Sequence, residues 1–228
     1  VTMSRFRVIG VVCLCFLLFT AVQSIAASHV KHRYKSAITI ARSEIWRAIN
    51  SGKCGSAAVA IAEKGKIVYA EGFGMEDREK GVPVDKDTIF NIGSISKVYV
   101  AAAIMILVDE GRVSLDTPVK DYLAEFKMAD DRYKDITVRM LLNHTSGIPG
   151  TQGANSFGFR YEDSVKEETI KTLNRSHLKH TPGAMTVYCN DGFTLAEMIV
   201  ERVTGTRFLD FLNQKVFKRL GLKNTGIG

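Results

Sequence analysis

The run Val98-Tyr-Val-Ala-Ala-Ala-Ile-Met-Ile-Leu-Val108 carries almost no polar side chain. A helix that is apolar nearly all round has to be buried on most of its sides, so other elements must be built around it. Gly111 stands where the helix should stop, as a C-terminal cap.

The elements available to cover it are unevenly distributed. Ser36 to Asn50 has apolar residues at Ile38, Ile45, Ala48 and Ile49, which is helical spacing. Ala57 to Ala62 and Ile67 to Ala70 read as two strands, joined by a hairpin at Lys64-Gly65-Lys66. Gly72, Gly74, Gly81 and Pro83 mark loops. Thr137 opens a short helix to Asn143, and a loop rich in Gly, Ser and Thr runs on to Gly158. Ser164 to Asn174 is a polar helix. Thr194 to Val203 and Phe208 to Leu220 are amphipathic helices stopped at Gly205 and Gly221. One hairpin therefore precedes an almost wholly helical stretch. A lone hairpin exposes two edges and is marginal in water. The expectation is an α+β fold, with a helical subdomain packed on an antiparallel sheet whose first hairpin is present. The chain reads as part of a longer protein.

The N-terminus addresses localisation. Arg5 and Arg7 precede an apolar run from Val8 to Val22, and small residues follow at Ser24, Ala26 and Ala27. This describes a secretory signal peptide over residues 1–26, cleaved after Ala26, which leaves residues 27–228 as the mature domain. An uncleaved membrane anchor is the alternative. The expected destination is periplasmic or extracellular. Two cysteines then remain, Cys54 and Cys189, read as unpaired thiols.

There are 31 basic and 24 acidic residues, a net charge of +7. The charges are interleaved, as in Glu76-Asp-Arg-Glu-Lys80, which does not support nucleic-acid binding and leaves room for association with a cell wall or membrane surface. The pairs His29/His32 and His177/His180 have a spacing seen in some metal sites, but neither sits in His-Glu-x-x-His, so neither metal nor cofactor is expected.

Chemistry enters at Asn91-Ile-Gly-Ser94-Ile-Ser-Lys97. Ser-x-x-Lys places a hydroxyl and an ammonium one helical turn apart on one face. A serine hydroxyl needs a neighbouring base to become a nucleophile, and a desolvated lysine can serve. The first turn of a buried helix also presents backbone amides to a developing oxyanion. The pattern occurs at Ser28/Lys31, Ser94/Lys97 and Ser176/Lys179, but a glycine precedes and a long apolar helix follows only at Ser94. The competing reading is that Ser94 or Ser96 merely caps the helix. Tyr188-Cys-Asn190, after Pro182-Gly183, adds a phenol able to relay protons and an amide able to bind Lys97 and a substrate carbonyl.

Together these blocks resemble the serine β-lactamase and penicillin-binding-protein family, in its class C-like branch with related esterases and D-amino-acid peptidases. The resemblance spans Phe90 to Lys97, Gly111 to Val119, Ile136 to Gly147, Pro182-Gly183, Tyr188 to Asn190 and Leu220 to Thr225. It implies a β-lactamase/transpeptidase-like fold and an acyl-enzyme on Ser94, formed from a β-lactam, a D-alanyl peptide or a small ester. Lys97 would activate Ser94, Tyr188 would shuttle protons, and Asn190 would orient Lys97 and the substrate. The Ser94 N–H would supply half of the oxyanion hole. His144 and Ser146 would shape the fold without reacting, and Ser96 would be structural. The family's third motif, Lys or His followed by Thr or Ser and Gly, does not occur after Asn190. The alternatives to a hydrolase are a non-hydrolysing penicillin-binding or sensor module and an inactive fragment.

Overall fold

A computed structural model describes residues 33–150 and 164–226. The signal-peptide reading, the pairs Ser28/Lys31 and His29/His32, and most of the loop after Gly150 lie outside these residues. The chain divides into two compact units, Val1–Phe90 and Asn91–Gly228.

In the first unit, helix α1 (Lys35–Asn50) is followed by an antiparallel sheet of β1 (Ser56–Glu63), β2 (Lys66–Asp77) and β3 (Val82–Pro83). The β1–β2 turn is tight because Lys64 and Gly65 both take positive φ, the twist that closes a two-residue hairpin without splaying the strands. The ladder runs from Glu63↔Lys66 to Ser56↔Gly74, with a shift between Ile61 and Ala62.

Two glycines expected in loops lie inside β2 instead. A β-carbon on Gly72 would stand 2.5 Å from the Val84 carbonyl oxygen, and one on Gly74 would stand 2.4 Å from that of Gly55. These glycines admit a neighbouring backbone rather than break the strand. The space at Gly72 is taken by the segment leaving β3, whose Val84 N–H bonds the Gly74 carbonyl. Pro83 is tolerated in β3 because that strand is an edge. The sheet therefore has a short third strand beyond the hairpin. Helix α1 lies on it through Trp46, edge-on to the buried Phe73 at 5.9 Å, and through Arg42, paired with Glu71 at 2.8 Å.

The second unit holds α2 (Ser96–Asp109), α3 (Val119–Tyr122), α4 (Val138–Leu142), α5 (Ser164–Leu173), α6 (Asn190–Thr204), α7 (Phe208–Leu212) and α8 (Lys218–Leu220). A wider π turn, Asn213–Phe217, joins α7 to α8, so the stretch expected as one helix is locally distorted. Helix α6 starts four residues earlier than its apolar periodicity predicts, at Asn190, and its Gly205 cap has φ +68°. The core gathers Ile104 and Leu107 of α2, Leu141 of α4, Leu195 and Ile199 of α6, and Phe211 of α7.

Helix α2 is not buried on most sides. Val100, Ala103, Ile104 and Leu107 form its buried stripe, while Val98 and Met105 are exposed. Among the described residues, no helix is long and apolar enough to cross a membrane.

Candidate active site

The approach to α2 is built by backbone geometry. The Gly93 N–H donates to Asn91 Oδ1 at 2.7 Å, and Gly93 takes φ +51°, a conformation suited to glycine. One tight turn, Gly93–Ile95, then sets Ser94 at the exposed head of α2. No side chain caps this helix, so the capping alternative for Ser94 and Ser96 fails. The Ser94 hydroxyl is engaged elsewhere. Lys97, half-buried one turn on, donates from Nζ to Ser94 Oγ at 3.2 Å, and the Tyr188 hydroxyl donates to the same oxygen at 2.6 Å.

Tyr188 reaches Ser94 across 94 positions of sequence because its segment is tied to the turn after α4. The Gly183 N–H donates to the Thr145 carbonyl at 2.8 Å, and the Val187 N–H to that of His144 at 2.9 Å. The Cys189 N–H donates to His144 Nδ1 at 3.2 Å. The turn itself is fastened by Asn143 Oδ1, which accepts from the Thr145 N–H and hydroxyl. Ser146 is buried, and its Oγ accepts from the Ile148 N–H.

Charge at the site centres on Lys97. Hydrogen bonding with Lys97, and then with Ser94, holds the Tyr188 phenol below its ordinary value, and its slight burial opposes this. Tyr188 is 53% exposed, so solvent screens the effect. Lys97 Nζ also lies 4.9 Å from the centre of the Tyr188 ring and 5.6 Å from that of Phe193.

Asn190 is half-buried as the first residue of α6, two positions beyond Tyr188. Cys189 immediately precedes α6 as a buried free thiol, and burial pushes its pKa up; Cys54 is also free. The other described Ser-x-x-Lys pair is engaged differently. Ser176 Oγ donates to the Thr172 carbonyl, and the Lys179 N–H bonds Gly147. Among the described residues, no cluster of three or more His, Cys, Asp or Glu could hold a metal ion.

Phe193, and the place of His144 beside Tyr188, escape a reading of the sequence, which gives His144 only a part in shaping the fold. Phe193 comes within reach of Lys97 because it lies one turn after Asn190 on α6. His144 packs its ring on Tyr188 at 4.5 Å and on Phe193 at 5.2 Å. The spacing Asn190/Phe193 could have signalled the first. Nothing local signals the second, because it depends on the Tyr188 segment returning to the turn.

A serine, a lysine one helical turn away and a facing tyrosine thus meet at one hydroxyl oxygen. Residues 28–228 match the beta-lactamase family model, and the chain belongs to that family of serine hydrolases. It is 31% identical over 192 residues to esterase EstB of Burkholderia gladioli, an alignment covering 79% of this chain and 49% of that protein. It is 34% identical over 172 residues to penicillin-binding protein 4 of Amycolatopsis lactamdurans, covering 73% and 43%. Among solved structures, the octameric penicillin-binding protein homologue from Pyrococcus abyssi aligns with a TM-score of 0.72 at 31% identity, over 82% of this chain and 43% of that one. A class C beta-lactamase in complex with cefoxitin aligns at 0.69 and 22% identity, over 83% and 51%, and shares the fold. The chain spans less than half the length of the curated relatives it matches.

Proposed function

We propose that the protein hydrolyses a β-lactam, a D-alanyl peptide or a small ester through an acyl-enzyme on Ser94. The observation that carries this reading is one hydroxyl oxygen held between an ammonium and a phenol, with Lys97 Nζ at 3.2 Å and Tyr188 Oη at 2.6 Å. In the acylation step Ser94 Oγ attacks the substrate carbonyl and its proton passes to the lysine amine or the tyrosine phenolate. The carbonyl–leaving-group bond then breaks as that proton reaches the leaving group. Water repeats the sequence on the acyl-enzyme, with Tyr188 drawing its proton. The Ser94 N–H stabilises the oxyanion, a type of contact worth roughly 2.7–4 kcal/mol per donor. Asn190, two residues beyond Tyr188, orients Lys97 and the substrate carbonyl. The substrate scope draws on relatives named as an esterase and as penicillin-binding proteins.

The test is to treat the full-length protein with a serine-reactive phosphonate and map the adduct. It should fall on Ser94, and Ser94→Ala should abolish both labelling and hydrolysis. An adduct on another residue, or hydrolysis that survives Ser94→Ala, removes the reading. Labelled penicillin distinguishes a hydrolase from a sensor, because a hydrolase releases the label and a sensor keeps it.

A further inference from the structure

His144 lies in contact with the site without touching Ser94, and its geometry is over-determined. It is a non-glycine residue at φ +63°, a conformation that costs energy unless its surroundings enforce it. Its carbonyl accepts from the Val187 N–H and its Nδ1 accepts from the Cys189 N–H, so the two bonds bracket Tyr188 on either side. Its ring packs against the Tyr188 ring at 4.5 Å with a 35° tilt and rests on Phe193 at 5.2 Å.

We propose that His144 is a positioning residue which, as the neutral Nε2–H tautomer, holds the Tyr188 phenol on Ser94 and releases it when the ring is protonated. The proposal rests on the reading of Ser94 as nucleophile. An acceptor Nδ1 carries no proton, so a neutral His144 keeps its proton on Nε2. A second proton would occupy Nδ1, and the Cys189 N–H would then face a donor. It would also set a second cation beside Lys97. Protonation thus breaks one of the two bonds bracketing Tyr188 and adds repulsion across the Tyr188 and Phe193 rings.

The groups around the ring favour the neutral form. Partial burial disfavours a charged imidazole, and Lys97 on α2 repels one; the Cys189 N–H, donating to Nδ1, also favours the neutral ring. On the neighbouring segment, Lys97 and Ser94 lower the Tyr188 phenol, and burial raises the Cys189 thiol. Asp191, in the first turn of α6, is a carboxylate that acts on Cys189. Folding therefore lowers the imidazole pKa. The arrangement is intact above the ordinary histidine value of about 6.5 and is lost as pH falls through the lower folded value.

The experiment measures phosphonate labelling of Ser94 against pH in the full-length protein and in two variants, with nitrogen NMR of the His144 ring alongside. His144→Asn keeps an acceptor near Nδ1 and suits positive φ, but it cannot titrate. His144→Phe keeps a ring but offers no acceptor. Labelling of the native protein should slow in acid with the titration of His144. His144→Asn should lose that acid limb, and His144→Phe should label about ten- to a hundredfold more slowly at every pH. An acid limb unchanged in His144→Asn overturns the proposal, and so does a ring that NMR finds protonated on Nδ1 at neutral pH. If His144→Phe does not fold, His144→Asn still decides. If the native protein is unlabelled at Ser94 at every pH, the hydrolase reading falls and the positioning role with it, whereas the NMR result stands by itself.

Discussion

Tyr188 is placed by its neighbours more than by its own burial. Its phenol is drawn below its ordinary value by Lys97 and Ser94. Removing the cation should therefore raise it. In Lys97→Ala the Tyr188 phenolate should appear at higher pH, nearer the free value of about 10, in a near-ultraviolet titration corrected with Tyr188→Phe. An unmoved midpoint would mean that Lys97 does not govern this phenol. Tyr188→Phe itself should lower hydrolysis by about 10²–10⁴, the span of a positioned proton-transfer group. Ser94 and Lys97 were legible in the sequence because they share one short block, and Tyr188 because it stands in another, and the structure brings the three together. The contact of His144 with Tyr188 was not, because it exists only once the Val187–Cys189 segment lies against the turn after α4.

Among the elements, glycine was the hardest residue to read. Gly93, Gly205 and Gly221 have positive φ at helix ends, where a stop or start signal means what it says. Gly72 and Gly74 carry the same letter but serve close backbone approach inside β2. That role depends on Val84 and Gly55, which no local pattern ties to them. Gly74→Ala should be costly on both counts, since the residue has φ +78° and its added carbon would meet the Gly55 carbonyl oxygen at 2.4 Å. A loss of about 1–3 kcal/mol is expected in denaturant unfolding; a change within experimental error would show that β1 and β2 can separate there without penalty. Helix α2 fails the periodicity reading for a related reason. Its apolar composition said how much of it could be buried, whereas the stripe that is buried depends on α6 and α7, which pack against it.

For the whole molecule, both units have small cores of very different size. The first is centred on Phe73 and Val84, and the second holds most of the buried apolar side chains. Ser94, Lys97, Tyr188, Asn190 and His144 all belong to the second. The basic and apolar N-terminus is a separate matter. Expressed with export machinery, the mature protein should begin at Ala27, and N-terminal sequencing that finds Arg5 or Arg7 would favour the anchored form.

The 94-residue separation between Ser94 and Tyr188 has a consequence in time. Local helices form fast, whereas contacts distant in sequence must wait for the intervening chain to be ordered. In a refolding chain Ser94 and Lys97 become neighbours as soon as α2 winds. The phenol arrives only when the Tyr188 segment has returned to its turn. Labelling of Ser94 is therefore expected to trail the recovery of helix in a refolding chain.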